Sequence, residues 1–109
     1  NLSVESLKRV ELVTVSGRVD SSNASQFESG LKDLTGKGRN SLVLNLAGVT
    51  YMSSAGLRTL VSTLKDAKRG GGDVRLAAPS ERVSEVLSLA GLDSLFKVFD
   101  DDTAAVGSY

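Results

Sequence analysis

The 109-residue chain contains no cysteine, no histidine and no tryptophan, and only one proline. Without cysteine there are no disulfides and no thiol nucleophile. Without either residue the usual zinc sites are excluded, as is every catalytic triad that takes its base from histidine. The cysteine-free composition fits a reducing compartment, and a cytoplasmic location is expected. Long hydrophobic runs are also missing, whereas a bilayer-spanning helix needs about 20 apolar residues. Direct membrane insertion is therefore not expected. Asn1-Leu2-Ser3-Val4 leads straight into a strand-like pattern, which predicts no signal peptide. An excess of charge is lacking as well. Thirteen Lys+Arg balance thirteen Asp+Glu, and no half of the chain is basic. The electrostatic footprint of a nucleic-acid binder is absent, so no nucleic-acid partner is expected.

What remains is ordinary globular material, 40% hydrophobic and 24% charged. The length predicts one domain over residues 1–109, able to bury roughly 60–70% of its unfolded surface. Leu2, Val4 and Leu7 precede the β-branched run Val10–Val15, which stops at Ser16-Gly17. This reads as a hairpin or two adjacent strands. Asn23, with Gln26 three residues on, resembles a capping box. Ala24, Phe27, Leu31 and Leu34 then form one apolar face of a helix ending near Gly36. Ser41–Leu46 is a short apolar run, expected of a strand covered on both faces. A loop through Gly48 is predicted next. Leu57, Leu60, Val61, Leu64 and Ala67 form a second helical stripe, stopped by Gly70-Gly71-Gly72. Val74–Ala78 reads as a strand. Pro79 suits the first turn of a third helix, whose buried face is Val83, Val86, Leu87 and Ala90. Leu95–Phe99 is the last strand. Asp100-Asp101-Asp102 opens a short fourth helix. The order β-β-α-β-α-β-α-β, with a residual α, predicts an α/β fold with parallel crossovers.

Several features tempt a chemical reading. Gly70-Gly71-Gly72 lies between a helix and a strand and lacks a following Lys-Ser/Thr pair. A phosphate loop needs the opposite order, so these glycines read as a helix stop. Asp100-Asp101-Asp102 reads as helix-start charge bias, because three consecutive carboxylates do not converge easily on a cation. Neither a metal nor a cofactor is expected. Tyr51 and Met52 read as core residues beneath the loop. Arg58 sits in the first turn of its helix, where a cation opposes the dipole, and reads as a contact residue or a solvated one. Ser53 and Ser54 stand where a strand gives way to a helix. One reading is an N-cap worth about 1 kcal/mol. The other is a phosphoacceptor, since phosphate adds about −1.5 to −2 charges at the positive end of the helix. Small Ala55 and Gly56 leave the backbone there open to a partner.

Leu42–Leu46 followed by Val49-Thr50-Tyr51-Met52-Ser53-Ser54-Ala55-Gly56-Leu57 resembles the signature of STAS domains, more narrowly that of bacterial anti-sigma factor antagonists. Gly17-Arg18-Val19-Asp20 resembles the family's Gly-x-x-Asp turn. Leu89-Ala90-Gly91-Leu92, at the end of the Pro79 helix, resembles the family's Met/Leu-x-Gly-Leu, and Phe96–Phe99 is similar to its final strand. The resemblance covers roughly Val4 to Val106. It implies a mixed β-sheet of about four to five strands with three to four helices. It also implies a regulatory binding protein and not an enzyme. In such antagonists an unmodified serine permits binding to an anti-sigma factor, which releases the sigma factor. That partner is a GHKL-type serine kinase, which phosphorylates the serine and ends the interaction. A PP2C-type phosphatase resets it. The resemblance places the phosphoacceptor on Ser54, with Ser53 as second choice. It places the partner-binding neighbourhood at Asp20, Ser21, Ser53, Ser54, Ala55, Gly56 and Arg58. The chain departs from the family pattern at Ser53, where Asp is usual. The rival expectation is an unphosphorylated STAS module of a transporter or signalling scaffold, in which the serine pair only caps a helix.

Overall fold

A computed structural model describes residues 2–109. It contains strands β1 (Leu2–Leu7), β2 (Val10–Val19), β3 (Ser41–Met52), β4 (Asp73–Ala77) and β5 (Lys97–Phe99). Its helices are α1 (Ala24–Gly36), α2 (Ser54–Arg69), α3 (Glu81–Leu89) and α4 (Asp102–Gly107). The strands form one mixed sheet in the order β1-β2-β3-β4-β5. β1 and β2 are antiparallel, a hairpin turning at Lys8-Arg9, and β2 to β5 are mutually parallel.

Because the parallel strands follow sequence order, right-handed crossovers put every crossover helix on the same face. The core agrees. Phe27 and Leu31 of α1, Leu60 and Leu64 of α2, and Val83 and Leu87 of α3 join one cluster with Val13, Leu44 and Leu76 of the sheet. The opposite face would be bare without α4. Ala105 covers Val10, Leu12, Val43 and Ala77 there, in a second, smaller cluster. β3 is thus buried on both faces, as its apolar run predicts. Side-chain bonds tie α4 down. Asn45 Nδ2 donates to Asp102 Oδ1 at 2.7 Å, and Arg75 lies 4.0 Å from the centroid of the Tyr109 ring. The Tyr109 hydroxyl sits 2.6 Å from the Leu42 carbonyl oxygen. Burial and the nearby Asp73 charge push its pKa up, so this tyrosine stays a neutral donor.

Five local expectations need correction. The predicted loop through Gly48 is strand: β3 runs on to Met52, paired with β2 as far as Val19. The partner strand likewise does not stop at Ser16-Gly17. Both backbones find partners by continuing, and Val49 and Met52 bury their side chains. Gly48 marks an irregularity in register, where a Cβ would meet Ser16 Cβ at 3.1 Å. Pro79 lies outside α3, whose N-cap is Ser80, with its side chain accepting from Val83 N. Ala90 is exposed and not part of the buried face. The last strand has only three residues, because Leu92–Leu95 form a turn and Phe96 packs into the core before pairing begins. The acidic triplet does start a helix: Asp101 caps α4 by accepting from Ala104 N at 2.8 Å.

Candidate functional site

The serine pair sits where two parallel strands end together. Val19 pairs with Met52, and Ser53 N donates to the Val19 carbonyl at 2.8 Å. That bond sets the Asp20-Ser21 turn beside the start of α2. The structure therefore joins two segments that lie more than thirty residues apart in sequence.

The turn is internally braced. Asp20 Oδ1 accepts from both the backbone N and the hydroxyl of Ser22. Asn23 does not form the expected capping box and makes no side-chain cap bond to α1. Its side chain points backward instead. Oδ1 accepts from Asp20 N at 2.9 Å, and Nδ2 donates to the Arg18 carbonyl at 2.8 Å. The bonds from Ser22, with a smaller contribution from Arg18, hold the Asp20 carboxyl below its ordinary pKa. Its ionised contribution is therefore present above the usual carboxylate range and fades as pH falls through the lowered value. Arg18 lies 4.5 Å from the Tyr51 ring centroid and 3.6 Å from Asp20 Oδ2. Arg18, Tyr51 and Asn23 thus belong to the neighbourhood, which sequence reasoning did not assign to it. Tyr51 is half-buried against the guanidinium and not under a loop, whereas Met52 is core. Ser21 is exposed at the tip of the turn.

The two serines have different tasks. Ser53 is the N-cap of α2, in extended conformation, and its Oγ accepts from Gly56 N at 3.3 Å. Ser54 is the first helical residue and exposed. Its hydroxyl meets no hydrogen-bond partner among the described residues. The first turn of α2 carries no acidic residue, while Lys68 and Arg69 complement the dipole at its far end. The helix itself therefore places no carboxylate at its positive end, beside a free hydroxyl. Ala55 is half-buried and Arg58 exposed. Ser54, Ala55 and Arg58, with Val61 and Lys65, line one side of an open groove of about 700 Å³, closed by Glu28 of α1 and by Leu92. Among the described residues, no group of three metal-ligating side chains is assembled. No helix there is long and apolar enough to cross a membrane.

Gly56 sets how closely α2 approaches the strand ends. A Cβ there would sit 2.8 Å from Val19 Cγ1 and 3.0 Å from Met52 Cγ. Val19 is β-branched and cannot swing aside easily. Overpacking costs about 1–3 kcal/mol, against a helix-propensity gain of about 1 kcal/mol from Gly to Ala. Gly56→Ala is thus expected to destabilise by about 1 kcal/mol net, read as a lower melting temperature. An unchanged or raised melting temperature would contradict this packing.

Known proteins agree with this architecture. The STAS domain family profile matches residues 1–105. BtrV of Bordetella bronchiseptica, described as a candidate anti-sigma factor antagonist, is 31% identical over 108 residues, covering 99% of this chain and 93% of BtrV. The anti-sigma-B factor antagonist of Staphylococcus epidermidis is 30% identical over 100 residues, covering 90% of this chain and 93% of the relative. The crystal structure of the candidate antagonist TM1081 from Thermotoga maritima superposes with a TM-score of 0.92 at 29% identity, covering 98% of this chain and 92% of that one. The profile match, the sequence identities and the superposed fold together make this chain a member of the STAS domain family, among its anti-sigma factor antagonists.

Proposed function

We propose that the protein is a cytoplasmic anti-sigma factor antagonist, a regulatory binding protein and not an enzyme. It binds an anti-sigma factor of the GHKL kinase type and so releases a sigma factor. Phosphorylation of Ser54 by that same partner ends the complex, and a PP2C-type phosphatase restores it. The observation that carries this reading is the division of labour between the serines. Ser53 is occupied as the cap, while Ser54 offers a free hydroxyl at the positive end of α2, whose first turn carries no acidic residue. A phosphate there adds about −2 charges where the helix favours an anion, so the fold tolerates it. A partner docked over the groove mouth meets a new dianion. The effect is local and needs no refolding.

The absence of Asp at position 53 does not disturb this geometry. Ser and Asp are near-equal N-caps. What the chain forgoes is a charge, not the cap.

Incubation with GHKL-type anti-sigma kinases of the source genome and ATP, followed by peptide mass spectrometry, tests the assignment. One phosphate on Ser54 is the expected result. Phosphate on Ser53 would keep the function and move the site. A folded protein that takes up no phosphate from any of these kinases would favour the unphosphorylated module.

A further inference from the structure

On the reading of Ser54 as phosphoacceptor, we propose that Arg58 is the intramolecular counter-ion of the phosphoserine. Arg58 follows Ser54 by four residues on α2, so the two side chains rise from the same helix face, with Cβ atoms about 5–6 Å apart. Both line the same groove. Arg58 is exposed, and among the described residues no carboxylate lies within ion-pair distance of it. Arg58 is the fifth residue of α2, just past its first turn, and side chains on a helix lean back toward its N-terminus. A phosphate on Ser54 lies on the side toward which Arg58 leans. The planar guanidinium can donate two parallel N–H bonds to phosphate oxygens, which an ammonium cannot do.

The other charges near the groove do not take this place. Glu28 of α1 lines the groove but makes no ion pair with Arg58. Lys65 stands seven residues further on, about 10 Å along the helix axis. Asp20 is engaged by Ser22, and Arg18 lies over Tyr51. The pairing changes what modification does to the surface. Unmodified, the groove mouth presents a neutral hydroxyl and a free guanidinium. Modified, it presents a dianion and a guanidinium already occupied. The switch then removes a cation from the docking surface as well as adding negative charge.

The test installs phosphoserine at position 54 by semisynthesis and follows its second ionisation, ordinarily near pH 6, by phosphorus NMR at low ionic strength. Arg58→Gln is expected to raise that pKa by about half a unit, roughly threefold in proton affinity, because a cation favours the dianion. Arg58→Lys should fall between the two. Lys65→Gln removes the same charge from the same groove at longer range and should move it far less. Equal shifts from Arg58→Gln and Lys65→Gln would reveal only a general field and overturn the pairing. No shift from Arg58→Gln would overturn it too. Because the phosphate is installed chemically, this outcome does not depend on any kinase. Failure of every kinase to modify Ser54 would remove the functional reading and leave the titration standing.

Discussion

Ser54→Asp is expected to weaken binding to the anti-sigma partner by about tenfold to a hundredfold, roughly 1.4 to 2.7 kcal/mol. Ser54→Ala should bind like the unmodified protein and stay bound when ATP is supplied. Both variants should remain folded, for reasons set by the helix start. Ser53 holds the cap, so removing the Ser54 hydroxyl leaves every observed hydrogen bond in place. An aspartate at the first helical position faces the positive end of the dipole and is worth about 0.3–1 kcal/mol of stability. A loss of affinity with an equal or higher melting temperature therefore separates a switch from mere unfolding. Calorimetric titration of the partner, beside thermal melts, reads both quantities. Ser53→Asp is the matched control. It introduces the same charge one residue earlier and preserves the cap. If Ser54→Asp and Ser54→Ala both bind like wild type, Ser54 is not the switch. If Ser53→Asp alone disrupts binding, the acceptor is the capping serine.

The sequence made some of this geometry legible and hid the rest for physical reasons. The stripe of α2 was readable because Leu57, Leu60, Leu64 and Ala67 keep the helical period, and all four are buried in the structure. The β1–β2 hairpin and the acidic start of α4 followed from local composition in the same way. The extension of β3 was not readable. Gly48 and Thr50 look like loop residues until β2 lies alongside, pairing with Gly48, Val49 and Tyr51 and stepping past Thr50 at a break in register. The role of Asn23 was hidden because a side chain that could cap forward instead braces the turn behind it. The division between Ser53 and Ser54 depends on a helix boundary set to a single residue, which pattern alone does not fix. The groove needs α1, α2 and Leu92 together, and no linear spacing announces that.

Gly72→Ala is expected to be the most damaging of the glycine substitutions, costing about 3 kcal/mol. A Cβ on Gly72 would lie 1.9 Å from the Asn40 carbonyl oxygen and 2.4 Å from its carbon. Those atoms are backbone and cannot rotate away. The same Asn40 oxygen accepts from Asp73 N at 2.9 Å, next to the first rung of pairing between β3 and β4. Relieving the clash must therefore spread the sheet where its two central parallel strands begin. For a domain of this size, the loss corresponds to a melting temperature lower by about 10–20 °C. Its neighbours should rank below it. Gly71 has φ +87° but open space around a Cβ, so Gly71→Ala should cost only about 1–2 kcal/mol of backbone strain. Gly36, the last residue of α1, has neither a positive φ nor a neighbour within 4 Å, so alanine there should be neutral or stabilise by up to about 1 kcal/mol. The ranking also bears on what the glycine run is for. The backbone N–H groups of Gly70, Gly71 and Gly72 all donate to carbonyls of α2. None is left to cradle an anion, so the run ends a helix and admits a strand. Equal, small stability losses at Gly71 and Gly72 would show that Asn40 does not press on the chain as the structure places it.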